Sequence, residues 1–203
     1  MNKINYNKVM ESIIEKHCGQ ERKKLLLHAC CAPCSSHVLD ILSEYFKITI
    51  YFYNPNITDE EEYNRRLEEQ KNLVKQMTLY EDVTIVEGDY EPEVFTKFAR
   101  NYSEEPEGGE RCARCYRLRI DKTAVYAKSQ GYDFFSTTLS ISPHKDSKKL
   151  NDLGKEIAEK YEVDYLFSDF KKGEGYKKSV ELSRKYQLYR QDYCGCVYSQ
   201  NAR

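Results

Sequence analysis

The sequence predicts an α/β protein: an open, doubly wound parallel sheet of about five strands, with an N-terminal helix in front of it. Two observations lead there. Short apolar runs alternate with longer amphipathic segments, which is the pattern of βαβ units around a parallel sheet. No Pro/Gly-rich linker, internal repeat or low-complexity tract divides the 203 residues, so one domain is expected over 1–203. Within it, residues 1–23 form a helical extension and 189–203 a C-terminal tail.

The elements follow in order. Tyr6, Val9, Met10, Ile13 and Ile14 recur at helical spacing and predict a helix over 6–18. KLLLHA (24–29) reads as a first strand. Val38, Leu39, Leu42 and Tyr45 form one stripe of a helix over 35–46, with Ser35 or Ser36 placed to cap it. ITIYFY (48–53) is a second strand closed by the turn Asn54-Pro55-Asn56. A long charged helix spans 59–77, capped by Thr58 or Asp59. A short strand over 83–87 and a helix over 91–102 come next. SEEPEGGER (103–111) is a loop, and a helix over 111–130 ends at Gly131, a residue suited to the left-handed position after a helix. Strands over 133–138 and 164–167 flank a helix over 147–161, and a last helix covers 179–187. In the strand order 3-2-1-4-5 the ends of the first and fourth strands, Ala29-Cys30-Cys31 and Thr137-Thr138-Leu139, are neighbours. That is the switch point where such sheets bind ligands.

Composition removes several function classes. No apolar run approaches the roughly 18 residues that span a bilayer. The N-terminal stretch lacks the apolar core of a secretory signal, so a cytoplasmic location is expected. A net charge of −1 excludes a generally basic nucleic-acid coat but leaves room for a local basic face. The turn after the first strand is Cys-Cys-Ala-Pro-Cys-Ser-Ser rather than a glycine-rich loop, so no backbone cradle for ATP phosphates is expected there.

Eight cysteines carry the chemistry. A reducing cytosol does not favour that many as disulfides, which leaves metal or redox chemistry. Cys18 stands alone and reads as a small apolar residue. The other seven form three groups: Cys30, Cys31 and Cys34; Cys112 and Cys115; Cys194 and Cys196. Cys112 and Cys115 share one face of a helix start with Arg119, where the helix dipole favours thiolate. Gly195 permits a tight turn between the last two thiols. A closed zinc site or a cubane cluster takes four ligands, so seven exceed one site and nearly fill two. The spacing leaves open a zinc-stapled domain, an iron–sulfur site and redox thiols, and the adjacent pair Cys30-Cys31 is unusual for a simple zinc knuckle.

Three histidines and several basic clusters are further candidates. His28 reads as a buried, hydrogen-bonded histidine and His37 as solvent-facing. His144 lies in a loop, Ser142-Pro143-His144-Lys145, at the ligand end. Arg111, Arg114, Arg117 and Arg119, with Lys145, Lys148, Lys149 and the lysines near 171–178, form local basic clusters. With 18 tyrosines available for stacking, they fit an RNA-binding face.

Taken together, LLLHACCAPCSS (25–36), FYNPNI (52–57), ERCARCYRLR (110–119), STTLSISPHK (136–145) and YRQDYCGCVYS (189–199) closely resemble the QueH family of epoxyqueuosine reductases, the form that uses no cobalamin. The resemblance spans 25–199. It implies a Rossmann-like sheet of the adenine-nucleotide α-hydrolase type. It also implies reduction of epoxyqueuosine at the wobble position of tRNA to queuosine, the last step of queuosine biosynthesis. The implied cofactors are a 4Fe-4S cluster and an additional mononuclear iron, with Cys30, Cys31, Cys34, Cys112, Cys115, Cys194 and Cys196 as their ligands. After FYNPNI the family often has a His-Pro type pair; this chain has Thr58-Asp59, so no role of that histidine carries over.

On that reading His144, Tyr193 and Asp192 are the expected proton donors. Asn54, Asn56, Thr138, Arg119 and Lys145 are the expected substrate contacts, and an electron donor of unknown identity is required. The alternatives are a zinc-stapled RNA-binding module and a tRNA sulfur transferase; the missing phosphate loop counts against the latter.

Overall fold

The computed structural model of the chain describes residues 4–17, 19, 21–79 and 83–200; Cys18 lies outside them. Five parallel strands form one sheet in the order β3-β2-β1-β4-β5, as the sequence predicts. The strands are β1 (Lys23–His28), β2 (Phe46–Phe52), β3 (Thr84–Glu87), β4 (Phe134–Thr137) and β5 (Asp164–Tyr165). The helices are α1 (Tyr6–His17), α2 (Ala32–Leu42), α3 (Glu60–Gln76), α4 (Pro92–Ala99), α5 (Glu110–Ser129), α6 (Ser147–Tyr161), α7 (Gly175–Lys185) and α8 (Val197–Gln200). None of them is long and apolar enough to cross a membrane.

β1 is apolar on both sides because helices cover both faces of a parallel sheet. Leu25 and Leu27 point to one face, with Val38, Leu39 and Leu42 of α2 and Met10 of α1. Leu26 points to the other, with Ile120, Ala124 and Ala127 of α5 and Leu150 and Ile157 of α6. This period of two along β1 sets the two layers. The N-terminal helix is tied to the same body: Tyr6 stacks on Phe167 and its hydroxyl donates to Asp152 Oδ1 at 3.3 Å.

Several boundaries differ from the sequence reading. α2 starts at Ala32, not Ser35, because Pro33 is preorganised for a first helical turn and Cys31 occupies the N-cap. It ends at Leu42, which frees Phe46 to open β2. His37 lies against the start of α7 and is buried rather than solvent-facing. β5 holds two residues only, and α7 begins four residues earlier than predicted. The stretch 100–102 is a 3₁₀ turn rather than a continuation of α4, and the tail contains the short α8. The long helix is capped by Asp59, whose Oδ1 accepts from Glu62 N at 3.0 Å.

His28 shows how the strand ends are tied. Its Nε2 lies 3.1 Å from the Tyr53 carbonyl, which can only accept, so Nε2 carries the proton. Nδ1 then accepts from the Thr137 hydroxyl at 2.9 Å, whose oxygen accepts in turn from Leu139 N. Burial, with Arg119 nearby, pushes its pKa down to about 4 and keeps the ring neutral. β1, β2 and β4 are thereby fixed beside the first cysteines.

Candidate functional site

Cys30, Cys31 and Cys34 gather where β1 passes into α2. Cys31 is extended backbone at the N-cap, and Cys34 sits in the first helical turn. Their sulfurs all lie within 4.8 Å of one another, with Cys30 and Cys31 4.0 Å apart. Hydrogen bonding from Cys31 and Cys34 drops the Cys30 thiol well below its ordinary value. The same sharing raises Cys34, and it raises Cys31 to about 12. One thiol of the three ionises readily and the others hold their protons, an arrangement that a cation completes by displacing those protons.

The second group is assembled by two elements far apart in sequence. Cys112 and Cys115 are in the first two turns of α5, and Cys194 and Cys196 come from the tail. Cys115 and Cys196 pack with Phe95 and Ala99 of α4. All four thiols line one small crevice. The Cys194 and Cys196 sulfurs are 3.6 Å apart. Hydrogen bonding from Cys196 pulls Cys194 down to about 5 and pushes Cys196 up. Burial raises Cys115 to about 11 against the opposing charge of Arg119.

All seven thiols are free, and no disulfide joins them. The contacts of 3.6 and 4.0 Å are near the sulfur spacing of about 3.8 Å around one tetrahedral ion with bonds of about 2.3 Å. Cys30, Cys31 and Cys34 lie close enough to share one ion and the other four thiols line one crevice, so the chemistry of the donor set fits thiolate-bound metal.

A larger cavity of about 370 Å³ opens beside the first group. Cys30, Cys34 and Cys194 line it, with His144, Lys145, Asp192 and Tyr193. It shares Arg119, Lys145, Glu107 and Cys194 with the four-thiol crevice. Arg119 is 3% exposed, and its Nε donates to the Cys115 carbonyl at 3.3 Å. Its charge is favoured by Cys115, Cys30 and Cys194 against the cost of burial, so it stands between the two thiol groups.

Asn54, Asn56 and Thr138 are placed differently from expectation. All three are buried and line neither cavity. Asn54 Nδ2 donates to the Ala29 carbonyl at 2.9 Å, and Asn56 Nδ2 to the Cys194 carbonyl at 3.1 Å. The backbone carbonyls after β1 and in the tail need donors, and these amides turn inward to supply them. Their Nδ2 bonds brace the cysteine segments.

Two arginines do similar bracing. Arg111 Nη1 donates to the carbonyls of Tyr102, Ser103 and Glu105 at 2.7, 3.0 and 2.6 Å, which shapes the loop leading into Cys112. Arg66, buried in α3, reaches the tail. Lys171 does the same for the His144 loop: its Nζ meets the carbonyls of Ser140 and Lys145 and the Asp169 carboxylate. Lys171→Met is expected to loosen that loop. A lost charge-assisted hydrogen bond is worth about 1.5–3 kcal/mol. Exchange of the Lys145 amide, bonded to the Ser142 carbonyl, should therefore quicken roughly 10–100-fold by hydrogen-exchange mass spectrometry. Unchanged protection there would refute the bracing role.

Comparison with known proteins agrees with this arrangement. Residues 25–202 match the family described as Epoxyqueuosine reductase QueH. A protein of that name from Streptococcus pyogenes serotype M1 is 43% identical over 200 residues, covering 97% of this chain and 78% of the relative. One from Staphylococcus epidermidis is 43% identical over 202 residues, covering 97% and 85%. One from Thermotoga maritima is 37% identical over 181 residues, covering 86% and 89%. With a family match over residues 25–202, a span that contains both thiol groups, the chain belongs to the epoxyqueuosine reductase QueH family.

Proposed function

We propose that this chain reduces epoxyqueuosine to queuosine in tRNA, in the cytoplasm, with a 4Fe-4S cluster and an additional iron held by its seven thiols. The observation that carries the reading is the convergence of those thiols, from three distant segments, on the switch-point edge beside a cavity of nucleoside size. The reaction takes an epoxide, two electrons and two protons to an alkene and water. When bound, metal groups of this kind supply single electrons and a Lewis acid for the departing oxygen; an external donor renews the electrons.

The chain's own residues do the rest. The wall formed by His144, Asp192 and Tyr193 offers protons to the departing oxygen. Arg119 and Lys145 keep positive charge beside the thiols, where negative charge accumulates. Lys145 and Arg190 line the larger cavity, where they would meet the phosphates of an anticodon loop with its target base splayed out.

Anaerobic incubation of the iron- and sulfide-loaded chain with epoxyqueuosine-containing tRNA and a low-potential reductant tests this. Nucleoside mass analysis should show loss of one oxygen and appearance of queuosine. A colourless zinc protein without acid-labile sulfide, leaving the epoxide intact, would sink the proposal. A requirement for ATP would instead favour sulfur transfer.

A further inference from the structure

The tail that carries Cys194 and Cys196 belongs to no strand and no long helix, so something else must hold it. α3 does. Tyr189 N donates to Glu69 Oε1 at 2.6 Å, the Tyr189 hydroxyl donates to Glu62, and the Arg65 guanidinium lies 3.4 Å over the Tyr189 ring. The innermost contact is Arg66. On a helix dense in charge it is 1% exposed. Its Nε and Nη2 both lie 2.6 Å from Glu62 Oε1, one turn earlier, which balances the buried charge.

The remaining donors are aimed at the tail. Arg66 Nη1 donates to the Cys194 carbonyl and Nη2 to the Tyr193 carbonyl, each at 3.4 Å, and the guanidinium is 5.2 Å from the Tyr193 ring centroid. Asn56 adds a second donor to the Cys194 carbonyl, while Cys194 N donates to Ser199 Oγ at 3.3 Å. The Cys194 backbone is thus gripped on both sides. The next residue, Gly195, turns with φ +105°, and a Cβ there would meet Ile57 Cγ1 at 2.7 Å and Arg66 Nη1 at 3.3 Å. The chain turns directly against the guanidinium, and the two sulfurs on either side of Gly195 are 3.6 Å apart. Arg66 also lines the cavity that holds Cys30 and Cys34, and it interacts electrostatically with Cys31 and Cys30.

An ordinary buried ion pair would satisfy Glu62 and stop. Here the same side chain holds the backbone of one thiol group and faces the other with its charge. We infer that Arg66 is a positioning residue, fixing the Tyr193–Cys194 backbone so that Cys194 and Cys196 complete the four-thiol group. The inference rests on the thiols binding metal, as proposed above.

The test uses cobalt(II) as probe, titrated anaerobically into the metal-free chain and read by thiolate-to-cobalt absorbance. Three variants are compared with the parent: Arg66→Lys, Arg66→Met, and Glu62→Gln with Arg66→Met. The double variant removes both charges, so no unpaired carboxylate is left buried. Outer partners of metal ligands typically contribute 10–100-fold in affinity. Arg66→Met and the double variant should lose roughly that factor for the thiols of the tail. Arg66→Lys, which keeps the charge but not the two-pronged donor, should recover part of it. Melting curves are recorded alongside. Cobalt affinity that is unchanged in a folded variant overturns the inference. So does affinity that falls only in step with melting temperature across all three. A parent chain that binds cobalt but leaves epoxyqueuosine untouched would count against the proposed function and leave the role of Arg66 standing.

Discussion

Replacing Cys194 and Cys196 together by alanine is expected to lower turnover of epoxyqueuosine-containing tRNA by roughly a thousandfold or more. The estimate follows from the role of the thiols. Metal stabilisation of a departing oxygen is worth several kcal/mol, and about 4 kcal/mol corresponds to roughly 10³ in rate. The fold should survive. Each change removes one sulfur from a crevice at the edge of the body, with Phe95 and Ala99 behind it, rather than from the sheet core. A loss of about 1–2 kcal/mol is the scale for such small deletions, which lowers the melting temperature of a chain this long by only a few degrees. Single-turnover nucleoside analysis, iron counting and a melting curve on the same preparation separate the two effects. Retained iron–sulfur absorbance with retained turnover would show that these thiols are not ligands.

The thiols were legible in the sequence because cysteine is scarce and its grouping survives any boundary error. Their meeting place was legible because strand order alone makes the ends of β1 and β4 neighbours. The braces were not. Arg66 sits in a run of glutamates and arginines that reads as a solvated face. The usable signal was its register: Tyr63, Leu67, Gln70 and Leu73 mark the buried stripe of α3, and Arg66 falls on it. Asn54 and Asn56 carry the residue types of both a turn and a binding edge. What decides between them is the unsatisfied carbonyls of Ala29 and Cys194, one of them 138 residues from its partner. Such pairing is a tertiary fact that no local pattern contains.

His37 is a second kind of miss. A serine pair looked like a helix cap, but Pro33 already fixes the first turn three residues earlier. Starting at Ala32 puts His37 in the second turn of α2 rather than the first. The covering element, α7, was also read as starting later than it does. The exposed reading of His37 therefore fails on the helix start and on what packs above it.

That contact between α2 and α7 sets the largest expected effect on stability. Gly175 opens α7 and lies against the carbonyl of Phe170, itself buried. A Cβ at position 175 would stand 1.8 Å from the Phe170 oxygen and 3.1 Å from His37 Cδ2. The first of these is a backbone atom, so no rotamer change relieves it; either the 170–174 turn or α7 must move. Gly175→Ala is therefore expected to cost about 3 kcal/mol or more, the upper range for overpacking. For a chain of this length that is a fall in melting temperature of about 6–12 °C. Gly173→Ala is the matched control. Its φ of +57° penalises a side chain, yet nothing lies within 4 Å of the added atom. The cost there is the conformational one alone, about 1 kcal/mol. A Gly175→Ala chain that melts within a degree or two of the control would disprove the clash. The consequence reaches the site, because α7 supplies Tyr176 and Ser179 to the cavity wall while α2 supplies Pro33 and Cys34. Whichever side yields, the wall beside Cys30 and Cys34 shifts with it, so Gly175 couples the packing of α7 to the shape of the larger cavity.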